Sequence, residues 1–160
     1  MGLPVASVRN QNVVTLLYHW PMMIEELSEA DENAATTLWA ETGLTRAWND
    51  AATDFHRARD GSTSAVLGLR DDGEIVGTVM VGFDGHRGWI YYLAVMPQRQ
   101  RQGLGRVLMS AAEGWLQAKG ASKVQLMVRS ENEDALGFYQ RIDYEEAPVV
   151  VLSRWLDIKR

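Results

Sequence analysis

The sequence has no cysteine, only four prolines and only three histidines in 160 residues. Without cysteine there is no disulfide, no thiolate nucleophile and no thiolate metal ligand. That usage fits a reducing compartment, so a cytoplasmic location is expected. Basic charge is also short: 16 Lys and Arg face 21 Asp and Glu, a formal net charge of -5. A net acidic chain without a basic run is a poor partner for nucleic acid. Long apolar runs are missing too, and Val13 to Leu17, broken by Thr15 and followed by Pro21, is far short of a membrane span. It lacks a small-residue cleavage site, so it does not read as a signal peptide. No His, Asp and Glu cluster has metal-ligand spacing, and no metal is expected. His19 and His56 have no partner pattern.

What remains is an ordinary globular composition, 46% hydrophobic and 23% charged, of a length that suits one core. A clear pattern begins at Met22 and Met23. Residues 1–21 therefore read as an N-terminal extension, and 22–160 as a single domain. Met23 to Leu27 predicts a strand, and Ser28 with Asp31 predicts the cap of a helix whose face is Ala34, Ala35, Leu38 and Trp39. A weaker helix reaches about Arg59. Thr63 to Arg70, Glu74 to Phe83 and Trp89 to Val95 predict three strands on short turns, hence antiparallel. Strict alternation places Ile75, Val79, Val81 and Phe83 on one face of the second. In the third it sets Trp89, Tyr91, Leu93 and Val95 against Ile90, Tyr92 and Ala94. Leu104 to Leu116 repeats at helical spacing and Gly120 stops it. Lys123 to Val128 predicts a strand, Asn132 to Arg141 a short helix, and Val149 to Trp155 a final strand.

The chemistry gathers between the third strand and the long helix. There Pro97 leads into Gln100-Arg101-Gln102-Gly103-Leu104-Gly105-Arg106. The first turn of a helix offers unpartnered amides and a positive dipole end, and glycine lets an anion approach them closely. Arg99, Arg101 and Arg106 add positive charge. Glycines that merely shape a turn are an equal reading of the loop alone. A Walker loop would need Gly-Lys-Ser/Thr, and a dinucleotide fingerprint would need a glycine where Leu108 stands.

With its flanks the loop is more specific. Leu93-Ala94-Val95-Met96-Pro97 followed by Gln100-x-x-Gly103-x-Gly105 resembles motif A of the GNAT superfamily of N-acetyltransferases, and Asn132 and Tyr139 fall at that family's spacing. The resemblance covers roughly residues 23 to 155. The Thr-Arg-Ala-Trp-Asn-Asp and Gly-Phe-Asp-Gly-His-Arg-Gly stretches resemble its YpeA-type bacterial subgroup. It implies an α/β (α+β) fold, with a mixed, mostly antiparallel sheet of six to seven strands flanked by about four helices. It implies acetyl-CoA as acetyl donor and a small-molecule or peptide amine as acceptor. The backbone of Leu93, Ala94 and Val95 would pair with the pantetheine arm. The amides of Arg101, Gln102, Gly103, Leu104, Gly105 and Arg106 would hold the pyrophosphate. Asn132 would bond the arm, Tyr139 would protonate the departing thiolate, and the strands carrying Val95 and Val128 would splay to admit the donor.

One position departs from the pattern. Peptide-acetylating relatives carry Glu five residues before the Asn, where this chain has Met127, which accepts no proton. A base must then come from Asp84, His86 or a water held by Tyr91 or Tyr92. Asp84 with Gly85 also suits a hairpin turn, and His86 suits a solvated loop tip. Arg46 and Trp48, with Asn49 and Asp50, lie on a connection that borders the acceptor site in this fold; a loop pinned by its Trp and a helix cap at Asn49 or Asp50 explain them equally well. Asp143 stands where relatives commonly have Gly. A non-catalytic acyl-CoA-binding sensor or interaction module is the alternative function, a nucleotide-phosphate binder a weaker one, and a homodimer is open.

Overall fold

The computed structural model describes residues 22–156. The expected extension, 1–21, lies outside the described residues. Five strands form one sheet in sequence order: β1 (Met23–Glu26), β2 (Ser64–Asp71), β3 (Glu74–Phe83), β4 (Gly88–Val95) and β5 (Val124–Leu126). The first three junctions are antiparallel and β4–β5 is parallel. Four helices flank the sheet: α1 (Glu32–Glu41), α2 (Ala51–Asp60), α3 (Leu104–Ala118) and α4 (Glu133–Gln140). The mixed, mostly antiparallel α/β reading holds, with five strands in place of six to seven.

The expected final strand is the one that fails to form. Residues 149–156 pair with no strand, because a strand needs a neighbour and β5 is a ladder of only three residues. Asp143, at φ 67°, turns the chain after α4, and the Tyr144 hydroxyl donates to Glu113 on α3 at 2.9 Å. Asp143 thus adopts the left-handed conformation that a glycine would supply.

Local chemistry sets the helix starts. Asp31 accepts from the Ser28 amide and hydroxyl, both at 2.9 Å, in a capping box that opens a 3-10 turn running into α1. Asp50 accepts from the Thr53 amide at 3.1 Å and caps α2. On one side of the sheet α3 buries Leu104, Leu108, Met109, Ala112 and Leu116 against Ala65, Leu67, Leu69, Val79, Val81 and Ile90. Each of the larger side chains contributes roughly 1.5–3 kcal/mol by leaving water. On the other side Leu38, Trp39, Phe55 and Ala58 cover Val66, Met80 and Ala94.

Two bulges break the alternation expected from the sequence. Leu69 faces Gly77 while Arg70 faces Ile75, so Val76 is the extra residue. Ile75 consequently joins the α1/α2 side, while Val79 and Val81 join the α3 side. In β4, Thr78 faces Ala94 while Met80 faces Tyr91, an extra residue on β4. Tyr92 sits at φ 48° in that bulge. Ile90 and Leu93 therefore share the α3 side, and Tyr92 and Ala94 the other.

Candidate active site

The donor loop is built by backbone. Beyond Val95 a single 3-10 turn, Pro97–Arg99, leads to Gln100, whose amide side chain donates back to the Val95 carbonyl at 3.1 Å. Arg101 at φ 63° and Gly103 at φ 82° turn the chain into α3. Val107 is the first amide to close the helical ladder, onto the Gly103 carbonyl at 3.2 Å. The amides ahead of it have no intrahelical acceptor and lie at the positive end of a fifteen-residue helix.

The two glycines of the motif do different work. A Cβ on Gly103 would meet nothing within 4 Å, so the space before the open amides is clear. A Cβ on Gly105 would meet the Phe138 ring at 3.1 and 3.2 Å, so that glycine exists for the close packing of α4. The expected arginine cluster is partly committed. Arg99 pairs with Asp71 at 2.7 Å and donates to Gln102 at 3.1 Å, and Arg106 donates to the Arg141 carbonyl at 2.9 Å. Phe138 on Gly105 and Arg106 on Arg141 together dock α4 on the first turn of α3.

Tyr139 follows Phe138 on the docked helix. Its ring packs on the α3-side core, with Phe138 at 5.1 Å and Tyr144 at 5.7 Å between centroids. Burial pushes its phenol up to about 12, and its hydroxyl takes no hydrogen-bond partner among the described residues. Asn132 caps α4, accepting from the Ala135 amide at 3.1 Å. Its Oδ1 is thereby used, and Nδ2 is the group left to reach a ligand.

Between loop and acceptor side lies the opening of the sheet. β4 and β5 are paired only from Gly88–Val124 to Ile90–Leu126, while β4 runs on through Leu93, Ala94 and Val95. The bulge at the mouth of this opening is pinned from below. Trp39 stacks on Tyr92 with centroids 4.1 Å apart, and its Nε1 donates to Thr78 at 2.8 Å. The Thr78 hydroxyl donates to the Tyr92 carbonyl at 3.3 Å, and the Tyr92 hydroxyl donates to Asp54 at 2.7 Å. Burial first, then the Asp54 bond and charge, push the Tyr92 phenol up to about 12.

The acceptor-side candidates are spread over loops. Arg46 donates to the carbonyls of Gly43 at 2.7 Å and Thr45 at 2.6 Å. Trp48 is 59% exposed, with the Arg129 guanidinium 6.0 Å from its ring centroid. Trp48 therefore does not anchor its loop in the core; the loop crosses to the segment after β5 instead. Tyr91 is exposed on the bulge, and Met127 is 53% exposed. His86 is exposed at the hairpin tip. Asp84 accepts from the amides of His86 at 2.8 Å and Arg87 at 2.6 Å, and from Trp89 Nε1 at 2.9 Å. Those bonds bring its carboxyl down to about 2. A carboxylate so stabilised is a weak general base, and its geometry is that of a hairpin brace.

Sequence reading missed the Trp39–Thr78–Tyr92–Asp54 assembly and the part of Arg129. The first joins residues far apart in the chain, Trp39 to Thr78 and to Tyr92, which no local spacing reveals. Tyr91-Tyr92 adjacent in an otherwise alternating strand is the one local sign of the bulge. Among the described residues no group of three His, Cys, Asp or Glu could hold a metal ion, and no helix is long and apolar enough to cross a membrane. The donor set, open amides before clear space, fits a phosphate-bearing ligand.

Comparison with known proteins agrees with this geometry. Residues 20–144 match the acetyltransferase (GNAT) family. An acetyltransferase of Pectobacterium atrosepticum is 38% identical over 135 residues, covering 84% of this chain and 96% of that protein. The fold is also that of an aminoglycoside N-acetyltransferase solved with CoA, with TM-score 0.73, 16% identity, and 85% and 95% of the two chains covered. A ribosomal-protein alanine N-acetyltransferase from Escherichia coli gives TM-score 0.66, 24% identity, and 79% of each chain covered. The chain belongs to the acetyltransferase (GNAT) family, whose acetyl donor is acetyl-CoA.

Proposed function

We propose that this enzyme, a member of the YpeA-type subgroup, moves the acetyl group of acetyl-CoA directly onto a primary amine of a small molecule or peptide. The observation that supports the reading is the docking of α4, the helix that carries the unpartnered phenol of Tyr139, on the first turn of α3, where the open amides of the donor loop lie. The amides of residues 101–106 hold the pyrophosphate, the backbone of Leu93, Ala94 and Val95 lines the pantetheine arm, and Asn132 Nδ2 reaches it. The acetyl carbonyl then lies in the opening beside β4.

The amine nitrogen attacks the acetyl carbonyl carbon, the carbon–sulfur bond breaks, and the thiolate takes the Tyr139 proton. The amine's own proton leaves to water, and water returns a proton to the Tyr139 phenolate. With a phenol near 12, transfer to a thiolate of ordinary pKa near 8.5 is uphill, but the burial that raises the phenol also raises the proton affinity of a thiolate leaving into the same surroundings. A lysine-like acceptor is deprotonated in only about one part in 2,500 at pH 7, a cost of about 4.6 kcal/mol. With Met127 in place of a carboxylate, water in the opening takes the proton, and acceptors with depressed amine pKa are favoured. That points to a small molecule ahead of a protein lysine.

Tyr139→Phe tests this. Turnover on a reactive amine falls by about 10² to 10⁴, while the thermal shift given by acetyl-CoA is kept. Turnover within threefold of wild type rules out Tyr139 as proton donor. Met127 favours a second reading, a non-catalytic acyl-CoA-binding module. Under that reading acetyl-CoA raises the melting temperature but no amine in a broad panel releases thiol.

A further inference from the structure

The β2–β3 hairpin ends in a carboxylate almost withdrawn from water. Asp71 closes the ladder opposite Glu74, and Asp72 at φ 49° with Gly73 at φ 83° reverses the chain beyond it. The Asp71 side chain is 13% exposed. Its Oδ2 pairs with Arg99 at 2.7 Å, while Oδ1 is buried and accepts no bond among the described residues. Burying a carboxylate is costly unless it is paired. Arg99 is that pair, so each side chain fixes the other.

The hairpin end is itself held on both sides. Arg70 pairs with Glu25 and, at 2.6 Å, with Asp31 ahead of α1, and it donates to the Gly73 carbonyl at 3.2 Å. Val76, the bulge residue just past the turn, accepts from the Met96 amide at 2.9 Å, where β4 gives way to the loop. The loop needs this support. Arg101 at φ 63° lies in the left-handed region without being glycine, a conformation that persists only where its surroundings hold it. Both of its neighbours are held: Gln100 donates to the Val95 carbonyl at 3.1 Å, and Gln102 accepts from Arg99 Nε at 3.1 Å. One guanidinium thus ties Gln102 to Asp71.

We propose that Asp71 is a positioning residue for donor binding. Through Arg99 and Gln102 it holds residues 100–103 in the shape that presents the open amides to an anion. This role rests on the reading of the loop as the pyrophosphate site of acetyl-CoA. It has an electrostatic signature. A carboxylate near an anion site repels the anion, so by charge alone its removal tightens binding. A carboxylate that positions the loop gives the opposite sign.

Calorimetric titration with coenzyme A tests this without any amine. Asp71→Ala, which leaves Arg99 without its acceptor, raises the coenzyme A Kd about tenfold, and Asp71→Asn, which keeps an oxygen for Arg99, raises it about threefold. Both substitutions remove the same charge, so the grading between them reports geometry. Arg99→Ala also weakens binding, and the double variant with Asp71→Ala binds no worse than Arg99→Ala alone, because the two residues act as one unit. Gly103→Ala reports on the loop itself. If Gly103→Ala weakens binding while the Asp71 variants leave it unchanged or tighten it, the positioning role is overturned and the loop reading stands. If Gly103→Ala also leaves binding unchanged, the loop reading falls and the positioning role falls with it. If Asp71→Ala fails to fold by far-UV circular dichroism, Asp71→Asn decides by the same sign.

Discussion

The proposed donor side and the proposed acceptor side of this enzyme are made of different material. Around the proposed phosphate loop the surface is backbone: open amides at the start of α3, a left-handed Gly103 and clear space before it. On the proposed acceptor side it is side chains, with Trp48, Tyr91 and His86 all exposed and the Arg129 guanidinium near the Trp48 ring. Backbone recognition depends on chain direction and tolerates few substitutions. Exposed loop side chains can change without disturbing the sheet. One donor served by a fixed scaffold, and an acceptor set by replaceable loops, is the division we propose.

The bulge of Tyr92 lies between the two proposed sides, so the largest effect is expected below it. Trp39→Ala removes a fully buried indole, its stack on Tyr92 and its bond to Thr78. A loss of about 3–5 kcal/mol is expected, lowering the melting temperature by roughly 10 °C. If the bulge borders both proposed sites, the acetyl-CoA and amine KM values rise together. A variant that melts like wild type, or in which only one KM moves, would show that the bulge holds without this support.

The glycine pair separates the sides more finely. Gly103→Ala forces a side chain into a left-handed residue at φ 82°, costing about 1–2 kcal/mol, and its methyl enters the space before the amides. The KM for acetyl-CoA rises about tenfold, an effect of about 1.4 kcal/mol, while the amine KM holds. Gly105→Ala presses on Phe138 and moves α4, so kcat falls more than the donor KM changes. Identical effects from the two substitutions would contradict the separate roles assigned to these glycines.

Why the loop geometry was legible and the placing of the acceptor-side candidates was not follows from the same contrast. Gln100 to Arg106 is contiguous, and the physics of a helix start is local, so its spacing carries the turn into α3. Two of the arginines in and beside it, Arg99 and Arg106, turned out to be committed to Asp71 and Arg141, partners distant in sequence. The bulges inverted Ile75 and Ile90 relative to strict alternation, because one extra residue flips everything beyond it. The strand at Val149 to Trp155 was read correctly as composition and wrongly as structure, since a strand exists only where a neighbour is offered.

On the acceptor side the expected effects are smaller. Trp48→Ala removes an exposed ring, so stability stays within about 0.5 kcal/mol of wild type. If the ring touches the amine, its KM rises about three- to tenfold with the acetyl-CoA KM unchanged, equivalent to roughly 1 kcal/mol of cation–π or stacking contact. Arg129→Ala, which leaves the indole without its partner, gives the same direction with a lesser size. An unchanged amine KM in both would move the acceptor site off this loop.

The smallest effect is expected at Asp84, where the two readings of one carboxylate part. Its oxygens serve the hairpin amides and Trp89, and those bonds hold its carboxyl at about 2. In the unfolded chain it titrates near the ordinary 3.8. The folded state therefore binds fewer protons than the unfolded state between those values, so Asp84 stabilises the fold above about pH 4 and that contribution is lost as pH falls toward 2. Asp84→Asn keeps an oxygen for the amides but cannot accept from Trp89 with its Nδ2, so it removes part of this acid-side loss and leaves neutral-pH turnover within about twofold. A base would behave otherwise. If Asp84→Asn cut turnover by about 10² or more at neutral pH with both KM values kept, the hairpin would belong to the chemistry, and the acceptor side would hold a fixed catalytic group after all.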